Sequence, residues 1–284
     1  MKDASSLAEL RLRVPGPFSI PARKRMIRYV VFIALIVPLL GALYLFNFSP
    51  IRILNGTTRL GLIFSFMFPP YIWTTWREWS DVLLGLGETI AMAFLGTLLG
   101  AIVAFPLAFL GAKNIIPFNW LRLSTRRGFD ALRAVEQIVL ALVFIRAFGL
   151  GPLPGVFAIA VSEIGTFAKL FSEAIENTSR KPVDGVLASG GGPLQTIRLA
   201  IMPQAMPVIL SIMLYEFESN TRSGTILGIV GAGGIGFLLA DRIAAYRWPE
   251  AWTIIFLIVI VVYCIDLSSA WLRGKIIGKT DAAR

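Results

Sequence analysis

From Ile27 to Asn47 the chain runs through apolar residues with Arg28 as its one charge, long enough as a helix to cross a hydrocarbon core about 30 Å thick. Comparable runs follow at 82–112, 130–148, 155–177, 204–230 and 249–271. Together they predict an all-α integral membrane protein with six transmembrane helices. The composition agrees: 56% of residues are hydrophobic and 15% charged, with a mean hydropathy of +0.74, whereas soluble domains carry about 25% charged residues. The chain has no His and one Cys, Cys264 inside an apolar run. It therefore lacks the material for a zinc site, a Ser-His triad or a disulfide framework.

Charge placement predicts the orientation. Six spans put both termini on one side. The amino terminus, the 113–133 region, the 178–203 loop and the carboxyl tail hold 19 of the 27 Lys and Arg residues. The larger opposite loops hold Arg52, Arg59, Arg77, Arg242 and Arg247. Positive charge accumulates in cytoplasmic loops, so both termini are expected in the cytoplasm, and the net charge of +10 reflects topology, with no nucleic-acid partner expected. Arg146, Lys169 and Arg222 fall in or near spans, where a cation at the bilayer centre costs about 2.5–3.5 kcal/mol. Arg146 and Lys169 can snorkel from span ends, but Arg222 cannot be accounted for so simply.

The expected organisation is a basic cytoplasmic segment (1–26), a first span with an outer interfacial segment (27–81), a transmembrane core (82–273) and a basic tail (274–284). The first span follows a long polar lead and ends in Tyr44, Phe46 and Phe48, so it reads as a retained anchor and not a cleaved signal. Residues 50–81, with Pro69-Pro70 and Trp73, Trp76 and Trp79, suit the outer interface. Gly96 and Gly100 form a GxxxG pair in the second span, to which no particular partner is assigned. The run Gly149-Leu-Gly-Pro-Leu-Pro-Gly155 predicts a tight outer turn.

Between the fourth and fifth spans lies a long segment, 178–203, with a short helical pattern, a break at Gly190-Gly-Gly192-Pro193, and an amphipathic stretch ending at Pro203. A connection needs only a few residues, so this length and pattern predict a docking surface. The segment resembles the EAA loop of binding-protein-dependent ABC importer permeases, whose pattern is Glu-Ala-Ala-x3-Gly-x9-Ile-x-Leu-Pro. Aligned on Pro203, the central glycine falls on Gly190 and a common Gly-Pro on Gly192-Pro193. Asp184, Gly185 and Val186 replace Glu-Ala-Ala, while Ala200 and Met202 replace Ile and Leu. Phe171-Ser-Glu-Ala-Ile-Glu176 and the run Leu214–Gly236 resemble phosphonate importer permeases closely, and the resemblance extends over about 82–273.

The resemblance implies a type I importer permease fold in the bacterial inner membrane. It also implies a dimer with a second copy of the chain, a coupling loop at Asp184, Gly185, Gly190, Gly192, Pro193 and Pro203 seated in an ATP-binding subunit present in two copies, and a periplasmic or lipid-anchored substrate-binding protein. ATP and Mg would be used by that partner, and this chain would bind no cofactor, hold no metal and catalyse no reaction. The implied cargo is a phosphonate, phosphite or phosphate ester. The nearest alternative is a methionine or amino-acid importer permease. An ion-coupled secondary carrier would use intramembrane charges for proton coupling and usually has inverted repeats, which are not found here. A membrane-embedded lipid phosphate transferase is disfavoured by the missing His and metal-binding carboxylates.

In the fifth span Glu216, Ser219, Asn220 and Ser223 recur at i, i+3, i+4 and i+7, one polar stripe, and Glu218 and Arg222 are spaced as an intrahelical pair. Either these charges neutralise one another and Glu163 or Glu136 on neighbouring spans, holding the bundle together, or the stripe and Glu163 line a translocation pathway with Arg222 facing the anion. Gly231, Gly233, Gly234 and Gly236 fit GxGxxG, but a dinucleotide site needs a βαβ unit and a suitably placed acid. They are expected instead to end a helix and let the backbone re-enter at an outer gate. Gly274-Lys-Ile-Ile-Gly278-Lys279-Thr280 has the wrong glycine spacing for a P-loop and reads as a basic tail.

Overall fold

A computed structural model of the chain describes residues 22–67 and 70–281, with side chains from 23 to 275. It is helical, with no strand among the described residues, and divides into two compact units at Ser65 and Phe66. The start of the core that the sequence had placed at Val82 falls within the second unit. Residues 1–21, 68–69 and 282–284, which include much of the basic amino-terminal segment and the extreme tail, lie outside the described residues.

The first unit contains α1 (Ala22–Leu45) and α2 (Pro50–Ser65). At its 24 residues α1 is about 36 Å long, sufficient to span a bilayer. Its end is closed by Asn47 in the left-handed region (φ 50°), with Phe48 N–H donating to Leu43 O at 2.9 Å and Asn47 N–H to Tyr44 O at 3.1 Å. That is the pair of bonds of a Schellman motif, in which Asn tolerates the conformation better than a branched residue. Pro50 then opens α2, where its missing N–H costs nothing. The hydroxyls of Thr57, Thr58 and Ser65 return to carbonyls of α2 itself, leaving an amphipathic helix with Arg52 and Arg59 as its charges.

In the second unit α3 (Trp76–Gly111) packs along α6 (Pro152–Glu176). A Cβ on Gly96 would lie 2.7 Å from Ile159 Cβ, and one on Gly100 would lie 2.7 Å from Glu163 Cβ. The GxxxG pair therefore makes an intrachain helix crossing. Further along, Ala101, Ala104 and Ala108 face Phe167, Phe171 and Phe129, all buried in one cluster. Within lipid the gain is close van der Waals packing, since exchanging lipid tails for side chains yields little hydrophobic free energy.

The expected span 130–148 is not one helix. The structure has α4 (Asn119–Arg133), a break at Ala134–Glu136, and α5 (Gln137–Phe148). Ala134 terminates α4 with its N–H shared between Asp130 and Ala131 carbonyls, and Glu136 is extended (φ −65°, ψ 140°). The charges Arg126, Arg127, Asp130 and Arg133 keep α4 amphipathic, and only the 12 residues of α5 are apolar throughout apart from Arg146 and Gln137. Five described helices are long and apolar enough to cross a membrane, with α5 as a shorter sixth. The turn between α5 and α6, expected on the outer side, is also tighter than the Gly-Pro run suggested: Gly149 (φ 88°) and Gly151 (φ 136°) make it, and Pro152 already opens α6. Gly155 lies inside α6, where Met92 and Ala232 leave no room for a side chain.

After α6 come α7 (Arg180–Ala188) and α8 (Pro193–Thr196), a π turn at Ile197–Ile201, and α9 (Met202–Ile229). The expected helix start at Pro203 is replaced by one continuous rod from Pro193 to Ile229. Pro203 has no N–H to give to Leu199, and the π turn lets Met202 N–H reach Ile197 O instead, so the rod passes the proline without a break. A re-entrant α10 (Gly234–Ala244) and α11 (Trp248–Asp281) complete the unit.

Candidate translocation pathway and coupling segment

The segment 178–203 is held at both ends. Gln204 clamps its start, accepting from Ser179 N–H at 2.9 Å and donating to Ala200 O at 2.7 Å. Close by, Arg126 donates to Gly111 O at 3.1 Å and pairs with Glu176 at 2.9 Å, while Asn114 donates to Ile175 O at 2.9 Å. The carbonyl end of α3, the middle of α4 and the end of α6 are thereby joined, with a cation on the last carbonyls of α3. None of Gln204, Arg126 or Asn114 had been singled out in the sequence, because the bonds to Ser179, Gly111 and Ile175 reach 25, 15 and 61 residues along the chain.

Within the segment, Gly190 has φ 81°; Gly191 N–H donates to Val186 O at 2.9 Å and Gly190 N–H to Leu187 O at 3.0 Å. This is a second Schellman motif, and its left-handed position calls for glycine. Gly192 precedes α8, with its N–H given to Gln195 Oε1 at 2.9 Å, and Pro193 occupies the first helical position. Asp184 and Gly185 are exposed on α7. Leu187 at the end of α7, Leu194 in α8 and Leu199 in the π turn are each exposed, apolar side chains on an otherwise polar segment.

In the membrane helices the charges and amides separate into two groups. Asn220 and Glu163 are both buried. Asn220 Nδ2 donates to Glu163 Oε1 at 2.9 Å and to Thr97 Oγ1 at 3.0 Å, and Gln137 Nε2 donates to Asn220 Oδ1 at 3.0 Å. Four helices, α3, α5, α6 and α9, meet at this network. Glu163 thus answers to neutral amides, and no cation among the described residues forms an ion pair with it. Its Oε2 is buried without a hydrogen-bond partner. Glu216, Ser219 and Ser223 are half-buried.

Glu218 and Arg222 lie on another face of α9, since about 100° per residue turns them well away from Glu216 and Asn220. They form the expected intrahelical pair at 3.3 Å. Glu218 has a second partner that the sequence did not suggest, Arg273 of α11, at 3.5 Å. Lys169, which the sequence placed near a span end, is paired with Asp130 at 2.7 Å.

The glycine loop between α9 and α10 adopts left-handed conformations at Gly231 (φ 108°), Gly233 (φ 76°) and Gly234 (φ 70°). A Cβ on Gly236 would run into the Thr225 carbonyl, so α10 folds back directly against α9. The first amides of α10 are not free to hold an external anion: Gly234 N–H donates to Glu88 at 3.1 Å and Ile235 N–H to Thr89 Oγ1 at 2.9 Å. At the other end of α10, Glu250 is buried between Arg242 and Arg247, with Trp73 Nε1 at 3.5 Å. Of the three tryptophans assigned to the interface, Trp73 is buried and stacks edge-on with Trp79, whereas Trp76 is exposed.

Residues 96–279 match the family described as binding-protein-dependent transport system inner membrane component. A putative phosphite transport system permease protein, HtxC of Stutzerimonas stutzeri, is 38% identical over 222 residues, 78% of this chain and 77% of that protein. The phosphate-import permease protein PhnE of Mycolicibacterium smegmatis is 33% identical over 96% of this chain, which spans only about half (51%) of its length. Among solved structures, an inward-facing conformation of the MetNI methionine ABC transporter superposes with a TM-score of 0.64 at 20% identity, covering 72% of this chain and 99% of that one, a likeness of fold. The all-helical architecture is that of a type I ABC importer permease. With its family match over most of the chain and its series of apolar helices, this multi-pass protein of the bacterial inner membrane belongs to the family of inner-membrane components of binding-protein-dependent transport systems.

Proposed function

We propose that the chain is the permease subunit of an ATP-driven importer for phosphonate, phosphite or a related phosphorus oxyanion. Two copies form the pore, each with α5 as the sixth crossing element and both termini in the cytoplasm. The segment 178–203 seats Asp184, Gly185 and the turn Gly190–Pro193 in one of two ATP-binding subunits, and a substrate-binding protein delivers the anion from outside. ATP and Mg act in the partner. The observation that carries this reading is a segment with exposed Leu187, Leu194 and Leu199 that is hydrogen-bonded to the membrane helices through Gln204 and runs on into α9 as one rod. A partner bound at the start of that rod can pass its movement directly to α9. The cargo is supported by relatives named for phosphite and phosphate import at 38% and 33% identity.

In this reading Arg222 faces the pathway. A half-exposed guanidinium on a membrane helix is too costly to leave against lipid tails and needs water, a partner or an anion. Ser219, Ser223 and Glu216 flank the pathway, Glu163 and Asn220 brace it, and Gly231, Gly233, Gly234 and Gly236 with α10 form the outer gate. The test is purification of a tagged copy, co-expressed with the genes beside it, in mild detergent. Two copies bound to two ATPase subunits, lost on replacing Leu187 and Leu194 with Asp, support the reading. A chain that purifies alone and transports phosphite down an ion gradient overturns it.

A further inference from the structure

From the geometry around Glu218 we infer that Arg273 is a specificity-determining residue, which neutralises Glu218 so that Arg222 keeps a surplus positive charge for an oxyanion in the pathway. The inference rests on the pathway reading of Arg222 given above. Glu218 is buried, with its side chain 9% exposed, and each of its oxygens has its own arginine: Oε1 lies 3.3 Å from Arg222 Nη2 and Oε2 lies 3.5 Å from Arg273 Nη1. Two guanidinium groups and one carboxylate leave a net charge of +1.

Where that charge resides follows from burial. The Arg273 side chain is 25% exposed and that of Arg222 is 56% exposed. Arg222 uses only Nη2 on Glu218, so its other N–H donors face outward from α9 together with Tyr215 and Ile226, which are also exposed. A guanidinium presents its donors in a planar fork suited to two oxygens of a phosphonate or phosphite. With Arg222 alone, Glu218 would cancel it and repel a dianion. With Arg273 the carboxylate is balanced from the other side, and it serves to hold the Arg222 side chain in place. Direction favours the contact, because side chains on α11 lean toward its amino-terminal end and carry Arg273 toward Glu218. Arg273 is a positioning residue and touches no substrate.

The test uses the complete importer, this chain with its ATPase and binding protein, in proteoliposomes, with radiolabelled phosphite supplied on saturating binding protein. Assembly of each variant is verified by the subunit ratio. Arg273→Gln is expected to lower the uptake rate about tenfold or more, as losing one partner of a buried charge pair does. Arg273→Lys is expected to stay within about threefold of the unmodified chain, since the charge is retained. The decisive variant is Glu218→Gln combined with Arg273→Gln, which removes the carboxylate together with its counter-charge. Recovery of uptake to within about threefold supports the inference when Arg273→Gln and the double variant keep the Tm of the unmodified chain, because a structural ion pair also recovers on loss of both halves but lowers Tm when one half is lost; uptake that falls and recovers in step with Tm overturns it. An Arg273→Gln chain with full uptake, or a double variant as impaired as the single one, overturns it. If Arg222→Gln leaves uptake unchanged, the pathway reading itself falls, whatever Arg273 does.

Discussion

Gly100 and Glu163 sit against each other with no space between their backbones: a Cβ on Gly100 would lie 2.7 Å from Glu163 Cβ and 3.0 Å from Ala160 O. The glycine thus sets the depth at which a buried carboxylate enters the bundle. Gly100→Leu is expected to force α3 and α6 apart, at a cost of about 1–3 kcal/mol or more. Thermal unfolding in detergent should show a lowered Tm, and the same change at Gly87, with open space around it, should have little effect. Equal Tm values for the two variants would contradict this packing.

Glu163 has amide donors and no paired cation among the described residues. Glu163→Gln keeps an oxygen for Asn220 and removes a carboxyl that has no counter-charge, so Tm should hold or rise. Asn220→Ala removes the donor to Thr97 and Glu163 and the acceptor of Gln137 at once, leaving Glu163 the longer 3.4 Å bond from Gln137, for an expected loss of about 1–3 kcal/mol. A Glu163→Gln chain less stable than Asn220→Ala would mean that the network depends on the charge.

Two glycines of the coupling segment should respond in opposite directions. Gly190 is left-handed, so Gly190→Ala should cost about 1–2 kcal/mol locally and reduce recovery of the ATPase subunit on purification. Gly185 lies inside α7 with nothing within 4 Å of a Cβ, and Gly185→Ala should stiffen the helix by up to about 1 kcal/mol. Quantifying co-purified subunit against Tm for both variants separates turn geometry from helix propensity.

The pair between Lys169 and Asp130 gives a pH dependence. The Lys169 hydrogen bond, opposed by partial desolvation and assisted by the charges of Lys169, Arg127 and Arg133, holds the Asp130 carboxyl below its usual 3.8. A depressed folded-state value stabilises the fold at pH above about 3.8 and ceases to do so as pH falls through the lower folded value. The Tm difference between the unmodified chain and Asp130→Asn should therefore be present at pH 6 and shrink in strong acid, and high salt should reduce it at an exposed site. A difference independent of pH would assign the effect to packing.

Much of the fold was legible because apolar length and small-residue spacing are local properties. The helices of the core, the close approach at Gly96 and Gly100, and the turn at Gly190 all follow from residues within a few positions of one another. The break at Ala134–Glu136 was hidden because the charged helix α4 runs on into apolar residues without Gly or Pro to mark its end. The fifth-span stripe and the separate Glu218–Arg222 pair were read from spacing alone, which could not say that Asn220 turns toward α3 and α6 and Glu218 toward α11. Arg273 and Glu250 escaped notice because their partners come from other helices, and no local pattern marks such a pairing. The glycines of the outer loop were recognised, but not that Glu88 and Thr89 already hold the amides they expose.

The most direct test of the account is ATP-dependent uptake of phosphite into proteoliposomes carrying this chain with its neighbouring ATPase and binding protein. The account predicts uptake that requires all three components and ATP, competes with methylphosphonate and not with methionine, and falls when Leu187 and Leu194 are replaced by Asp. Uptake that persists without the ATPase subunit, or that methionine inhibits and phosphonates do not, would contradict it.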